Sequence, residues 1–224
     1  MRLEEPRAEH RCLASGLPQI DKPLRGGFPK GALSEIIVSG ASCGSATLIR
    51  ALVEQAARAH EIVTLIDGND AFNATQPADE ALTRLLWIRC RTAADAVKAA
   101  DLVLRDNNLP LVLLDLKSNP EIQLRKIGAA TWYRFQRLVE ETGTACLVFT
   151  PRRMVAPAQA RVCLHQPWTL PSLDHDGAEV LRELTVEAAD ARQGRELEFT
   201  EFQVGPPNRN HSDLTTDEHR SIQN

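Results

Sequence analysis

With 224 residues, 43% of them hydrophobic and 25% charged, the chain can bury one substantial core and has the composition of an ordinary globular domain. A net charge of −4 and a pI near 5.9 argue against a surface built throughout to attract nucleic acid, whose nonspecific hold comes from Lys and Arg on phosphates, and leave a local basic patch as the remaining option. Five cysteines without a CxxC pair point to a reducing compartment, and no apolar run approaches the roughly 20 residues of a membrane-spanning helix, so a cytoplasmic protein with no membrane association is expected.

Residues 1–14 are charged and aperiodic and read as a mobile segment, 15–204 as one domain, and 205–224, which opens Gly-Pro-Pro-Asn, as a disordered tail. Within the domain, Leu33 to Val38 is a β-rich run. A small-residue turn follows, and then Leu48, Leu52 and Ala56 recur at helical spacing. Ile62 to Ile66 is a second buried strand, ending at Asp67, and Leu85 to Ile88 a shorter third. Thr92 with Asp95 forms a capping box for a helix whose Ala93, Val97, Ala100 and Leu104 share a face. Leu111 to Leu114 is the next strand, closed by Asp115. Ile127, Thr131, Phe135 and Leu138 mark another helical stripe that Gly143 ends, and Ala145 to Phe149 is a further strand. Continuous apolar strands separated by helices are the pattern of a parallel sheet covered on both faces, so the class is α/β. Leu184, Val186, Leu197, Phe199 and Phe202 alternate around a polar turn at residues 190–194, which predicts an antiparallel hairpin closing one edge.

Ligands of such sheets bind at the carboxyl ends of strands, and the turn after the first strand is the usual phosphate site. Here that turn runs from Ser39 to Thr47. A working phosphate loop needs G-x-x-x-x-G-K-[ST], in which amides wrap the phosphates, lysine neutralises them and the hydroxyl holds magnesium. Gly44 alone falls in place. Ser39 stands at the first glycine, Ser45 at the lysine and Ala46 at the hydroxyl, so Gly40, Ser42, Gly44, Ser45, Ala46 and Thr47 form a degenerate loop. Charge developing during phosphoryl transfer would find no counter-charge in it. No cofactor is expected, although amides at a helix start keep weak nucleotide or anion binding open beside the alternative of an empty turn.

The run Gly27-Phe28-Pro29-Lys30-Gly31-Ala32-Leu33-Ser34-Glu35-Ile36 resembles the stretch leading into the phosphate loop of RecA recombinases. Leu65-Ile66-Asp67-Gly68-Asn69-Asp70-Ala71 is similar to the end of that family's second strand, and Leu113-Leu114-Asp115 to its Walker B strand. Leu184-Thr185-Val186-Glu187 and Thr200-Glu201-Phe202-Gln203-Val204 are similar to its late hairpin. The resemblance implies a RecA-like fold, a mainly parallel twisted sheet flanked by helices with a C-terminal antiparallel hairpin. It also implies that Asn69 stands where the family has its water-activating glutamate, and Thr150-Pro151 where it has the step that senses the γ-phosphate. Lysine, base and sensor are each replaced, which suggests a pseudo-enzyme.

The stretches corresponding to the two DNA-binding loops of RecA, after Asp115 and from Pro151 to Ala160, are short, so DNA contact is expected to be indirect or weak. The N-terminal helix and strand that join RecA protomers are not expected here. Among RecA-like chains, Leu85-Leu86-Trp87-Ile88-Arg89-Cys90-Arg91-Thr92-Ala93-Ala94-Asp95-Ala96 is similar to the ImuA family of translesion-mutagenesis accessory factors. This implies an ImuB-like polymerase scaffold and an error-prone DNA polymerase as partners, with RecA a further one, in SOS-linked DNA repair. The alternatives are a SulA-like cell-division inhibitor that binds FtsZ, and a weak nucleotide-dependent DNA-binding ATPase.

Arg152, Arg153 and Arg161 are candidates for contact with phosphates or an acidic partner, against a solvated basic turn. Of Trp132 and Tyr133, one is expected in the core and the other at the surface. No metal site is expected, since Asp174-His175-Asp176 cannot converge on one ion unaided, and Cys43 has no neighbouring base to make it a nucleophile.

Overall fold

A computed structural model describes residues 12–38, 40, 43–75, 78–165 and 185–190. Its strands are β1 (Cys12–Leu13), β2 (Phe28–Pro29), β3 (Ala32–Val38), β4 (Val63–Asp67), β5 (Leu85–Arg89), β6 (Leu111–Asp115), β7 (Ala145–Thr150), β8 (Ala160–Leu164) and β9 (Val186–Asp190). The helices are α1 (Pro18–Asp21), α2 (Ser45–Arg58), α3 (Asp79–Leu82), α4 (Ala93–Val103), α5 (Glu121–Leu124) and α6 (Ala129–Thr142).

Seven strands form one sheet in the order β5-β4-β6-β7-β3-β8-β9, parallel throughout except for β9, which runs antiparallel to β8. The fold is therefore α/β with an antiparallel pair closing one edge, as the sequence pattern predicts. The strand that receives β9 is β8, with Leu164 opposite Val186. The proposed hairpin partner around Leu197 to Val204, and the turn leading to it, lie outside the described residues.

Each strand sends alternate side chains to opposite faces, so one strand feeds two cores. Ile36 and Val38 join Leu48, Leu52 and Ala56 of α2, together with Leu13, Ile20 and Phe28. Leu33 points the other way, to Ala96 and Ala100 of α4, Leu124 of α5, and Trp132 and Phe135 of α6. Covering both faces buries every residue of β3, β4, β6, β7 and β8, which explains why these strands are mostly apolar. Strand β5 is the exception. As the outermost strand it is only half-buried, with Leu86 exposed, and so it is no buried third strand.

Local signals fall where they should. The Thr92 hydroxyl accepts the Asp95 amide at 3.2 Å to cap α4, and Gly143, at φ +71°, ends α6 in the left-handed conformation that glycine adopts without a Cβ penalty. The inward stripe of α6 differs from the expected one. Trp132, Phe135, Gln136 and Val139 are buried, whereas Thr131 and Leu138 are half-buried and Ile127 precedes the helix. A one-residue rotation hides the large indole of Trp132 and leaves Tyr133 56% exposed. The polar Gln136 disguises the stripe in sequence. It tolerates burial because its Oε1 accepts the Leu33 amide at 3.1 Å and its Nε2 donates to Glu140 at 2.7 Å.

The ordered core also begins earlier than expected. Cys12 and Leu13 pair with Pro29 and Phe28 in a two-stranded ribbon, so the end of the segment read as mobile is part of the fold.

Candidate functional site

The turn read in sequence as a degenerate phosphate loop joins β3 to α2, at the carboxyl edge of the sheet. Gly44, at φ +81°, precedes α2 and no side chain caps the helix. Ser45 is buried in the first turn, Ala46 is exposed and Thr47 half-buried. Cys43 is buried, and burial pushes its thiol pKa up, which disfavours the nucleophilic thiolate. Gly40 lies within 3.6 Å of the Cys43 sulfur when measured from where its Cβ would stand. Ser39, Ala41 and Ser42 lie outside the described residues.

Two and three strands away, Asp115 and Asp67 end β6 and β4 in direct register. They do different things. Asp67 folds the following turn, its carboxylate accepting the amides of Ala71 at 3.0 Å and Phe72 at 2.8 Å. That turn places Asn69 at the surface and holds Asp70 at φ +53°, where Arg89 grips it through two bonds of 2.6 and 2.7 Å while lying 4.9 Å over the Trp87 ring. Asp115 is 5% exposed and receives both the backbone amide of Lys117, at 3.1 Å, and its ammonium. Beside this pair the Asn119 amide donates to the Gly68 carbonyl at 2.7 Å, and the Gly68 amide donates to the Asp115 carbonyl at 2.9 Å. A Cβ at Gly68 would stand 2.5 Å from that same carbonyl, which is why only glycine fits here.

Burial raises the pKa of Asp115, and Lys117 opposes the rise. The folded chain therefore holds this proton more tightly than the unfolded chain does. The group favours folding below the ordinary carboxylate range, and that contribution is lost as pH rises through the raised value. Replacing Lys117 by methionine removes the opposing cation. The variant is expected to lose about 1–3 kcal/mol at neutral pH, with the deficit shrinking as the medium is acidified and Asp115 is protonated in both states. Denaturant midpoints at neutral and acid pH check this.

Between the loop and Asp115 runs β7, and Thr150 at its end donates through its hydroxyl to Glu35 at 3.2 Å. Glu35 is fully buried in β3. Its carboxylate also accepts the amides of Met154 at 2.6 Å and Val155 at 2.9 Å, and faces Arg161 Nε at 3.2 Å across the β3–β8 register. Arg161 in turn donates to the Val155 carbonyl at 2.9 Å. This corrects the reading of Arg161 as a surface contact. A guanidinium within a buried strand must be paired, and the pair pins the loop that follows β7 onto the sheet. Arg152 and Arg153 do stay exposed, with Arg152 2.9 Å from Glu121 of α5.

Sequence reasoning named the loop, Asp115, Arg152 and Arg153 as candidates, and missed Lys117 and the Glu35–Arg161 pair. The signal for the pair was present as one charge in each of two otherwise apolar strands, Ala-Leu-Ser-Glu-Ile-Ile-Val and Ala-Arg-Val-Cys-Leu. Lys117 carried no such signal, because a lysine after a strand is ordinarily solvated. Among the described residues no cluster of His, Cys, Asp and Glu could hold a metal ion, and no helix is long and apolar enough to cross a membrane.

No family model and no curated protein matches the sequence. Among solved structures, the crystal structure of the RadB recombinase superposes with a TM-score of 0.54 at 14% identity, over 67% of this chain and 82% of that one. The fold is RecA-like. At this identity the likeness concerns the path of the chain alone, and the chemistry at the strand ends has to be read from this protein's own side chains.

Proposed function

We propose that the protein is a non-hydrolysing RecA-like accessory factor that works by binding other proteins, in the manner of the ImuA family in translesion synthesis and SOS-linked repair. One observation carries this reading. At the carboxyl edge, where a RecA-like ATPase presents lysine, a metal hydroxyl and a free Walker B carboxylate, this chain has Ser45 and Ala46 in the loop, and the Lys117 ammonium lies against Asp115. Hydrolysis needs cationic stabilisation of the phosphoryl group and a base for water, and Asn69 supplies no base. The pinning of the loop after β7 by Glu35 also supports a binding role without a mobile DNA grip.

The partners on this reading are an ImuB-like polymerase scaffold and an error-prone DNA polymerase, with RecA a third. Co-purification from cells after DNA damage tests it. Recovery of the polymerase-like scaffold without FtsZ is expected; recovery of FtsZ without the scaffold would replace the proposal with a division-inhibitor role.

A further inference from the structure

We propose that the sheet end bearing α5 and the loop after β7 is a docking surface for an acidic, leucine-bearing segment of a partner protein. The inference rests on the binding role above and names the face that would serve it. Ile122 stands 71% exposed on α5. Arg125 and Lys126 follow it in the chain and are exposed, as are Arg152 and Arg153 in the loop after β7. Glu121 ties the two segments into one patch, bonded at 2.9 Å by both Arg125 and Arg152. Two arginines converging on one carboxylate beside an exposed isoleucine concentrate positive charge on a chain whose net charge is −4.

The geometry also suits recognition. Glu35 holds the backbone of Met154 and Val155, so the segment bearing Arg152 and Arg153 is fixed in advance and little ordering entropy is lost on binding. Arg125 and Arg152 each carry five donors, and sharing the Glu121 carboxylate leaves others to face a ligand. Nucleic acid fits less well. These residues include no aromatic ring for a base to stack on, and an exposed isoleucine matches an apolar side chain better than a sugar-phosphate backbone. An acidic segment with a leucine over Ile122 satisfies both charge and apolar area.

Fluorescence anisotropy with the full chain tests this, using a labelled peptide of alternating acidic and leucine residues, the same peptide with serine for leucine, and an oligothymidylate of equal charge. The leucine peptide is expected to bind tightest, with the serine version about tenfold weaker. Ile122→Ser and the double variant Arg152→Glu, Arg153→Glu are each expected to weaken it by about tenfold or more, and Lys126→Glu repeats the charge test at a second position. Unchanged circular dichroism and unfolding midpoints show that these surface variants are folded. Tighter binding of the oligothymidylate, no binding of the leucine peptide, or binding indifferent to the variants would overturn the proposal. ATP turnover by the chain would instead refute the non-hydrolysing role and leave the peptide result as it stands.

Discussion

Glu35→Ala is expected to destabilise the fold by about 3–5 kcal/mol, read from the shift in urea midpoint, because it leaves the Arg161 guanidinium buried without its counter-charge. The loss goes beyond the ion pair. The amides of Met154 and Val155 and the Thr150 hydroxyl would all lose their acceptor at once. Combining Glu35→Leu with Arg161→Met removes both charges and puts apolar groups of similar size in the sheet. That double variant is expected to be more stable than Glu35→Ala alone, since it leaves no unpaired charge, though it still lacks the acceptor for the loop amides. Strict additivity of the two sites would mean that they do not interact, contrary to the geometry.

Gly27→Ala should cost about 2–5 kcal/mol, the sum of backbone strain and overpacking. Gly27 has φ +119°, where L side chains are strained, and a Cβ there would meet the Leu13 carbonyl carbon at 2.7 Å and the Ala14 Cα at 2.8 Å. Both are backbone atoms of the ribbon strand β1 and its continuation, so neither can swing aside. Gly26 is the control. Its φ of +116° carries the same strain, but a Cβ there meets nothing nearer than Cys12 Cβ at 3.9 Å, so Gly26→Ala should cost only the strain, about 1–3 kcal/mol. Comparing the two midpoints separates conformational strain from the close approach of β1. Equal losses would show that the ribbon gives way without cost.

The difference between these positions bears on what the sequence made legible. The parallel core was readable because both faces of the sheet are covered, which writes mostly apolar runs into β3, β4, β6 and β7. The ribbon was not, since β1 and β2 are two residues each and carry no periodicity, and Gly27 signals close packing only once Leu13 is seen against it. The rotation of α6 was hidden by Gln136, a polar residue on a buried face that only the distant Leu33 amide and neighbouring Glu140 make tolerable.

The same holds at the carboxyl edge. That Ser45 and Ala46 stand in the turn after β3 is a positional fact of the sequence. The ammonium of Lys117 on Asp115 is a fact of side-chain direction, and so is the withdrawal of Arg161 into the sheet. Burial separates residues that looked equivalent: Arg152, Arg153 and Arg161 form one basic cluster in the chain and two different environments in space.

Phosphate release from Mg-ATP, measured on the full chain with and without single-stranded DNA, decides between a binding protein and an ATPase. A RecA-like fold with serine and alanine in the phosphate loop and lysine on Asp115 should release phosphate no faster than the protein-free blank in either condition. Release that saturates with ATP and is abolished by Asp115→Ala would contradict that account and make the chain a working ATPase.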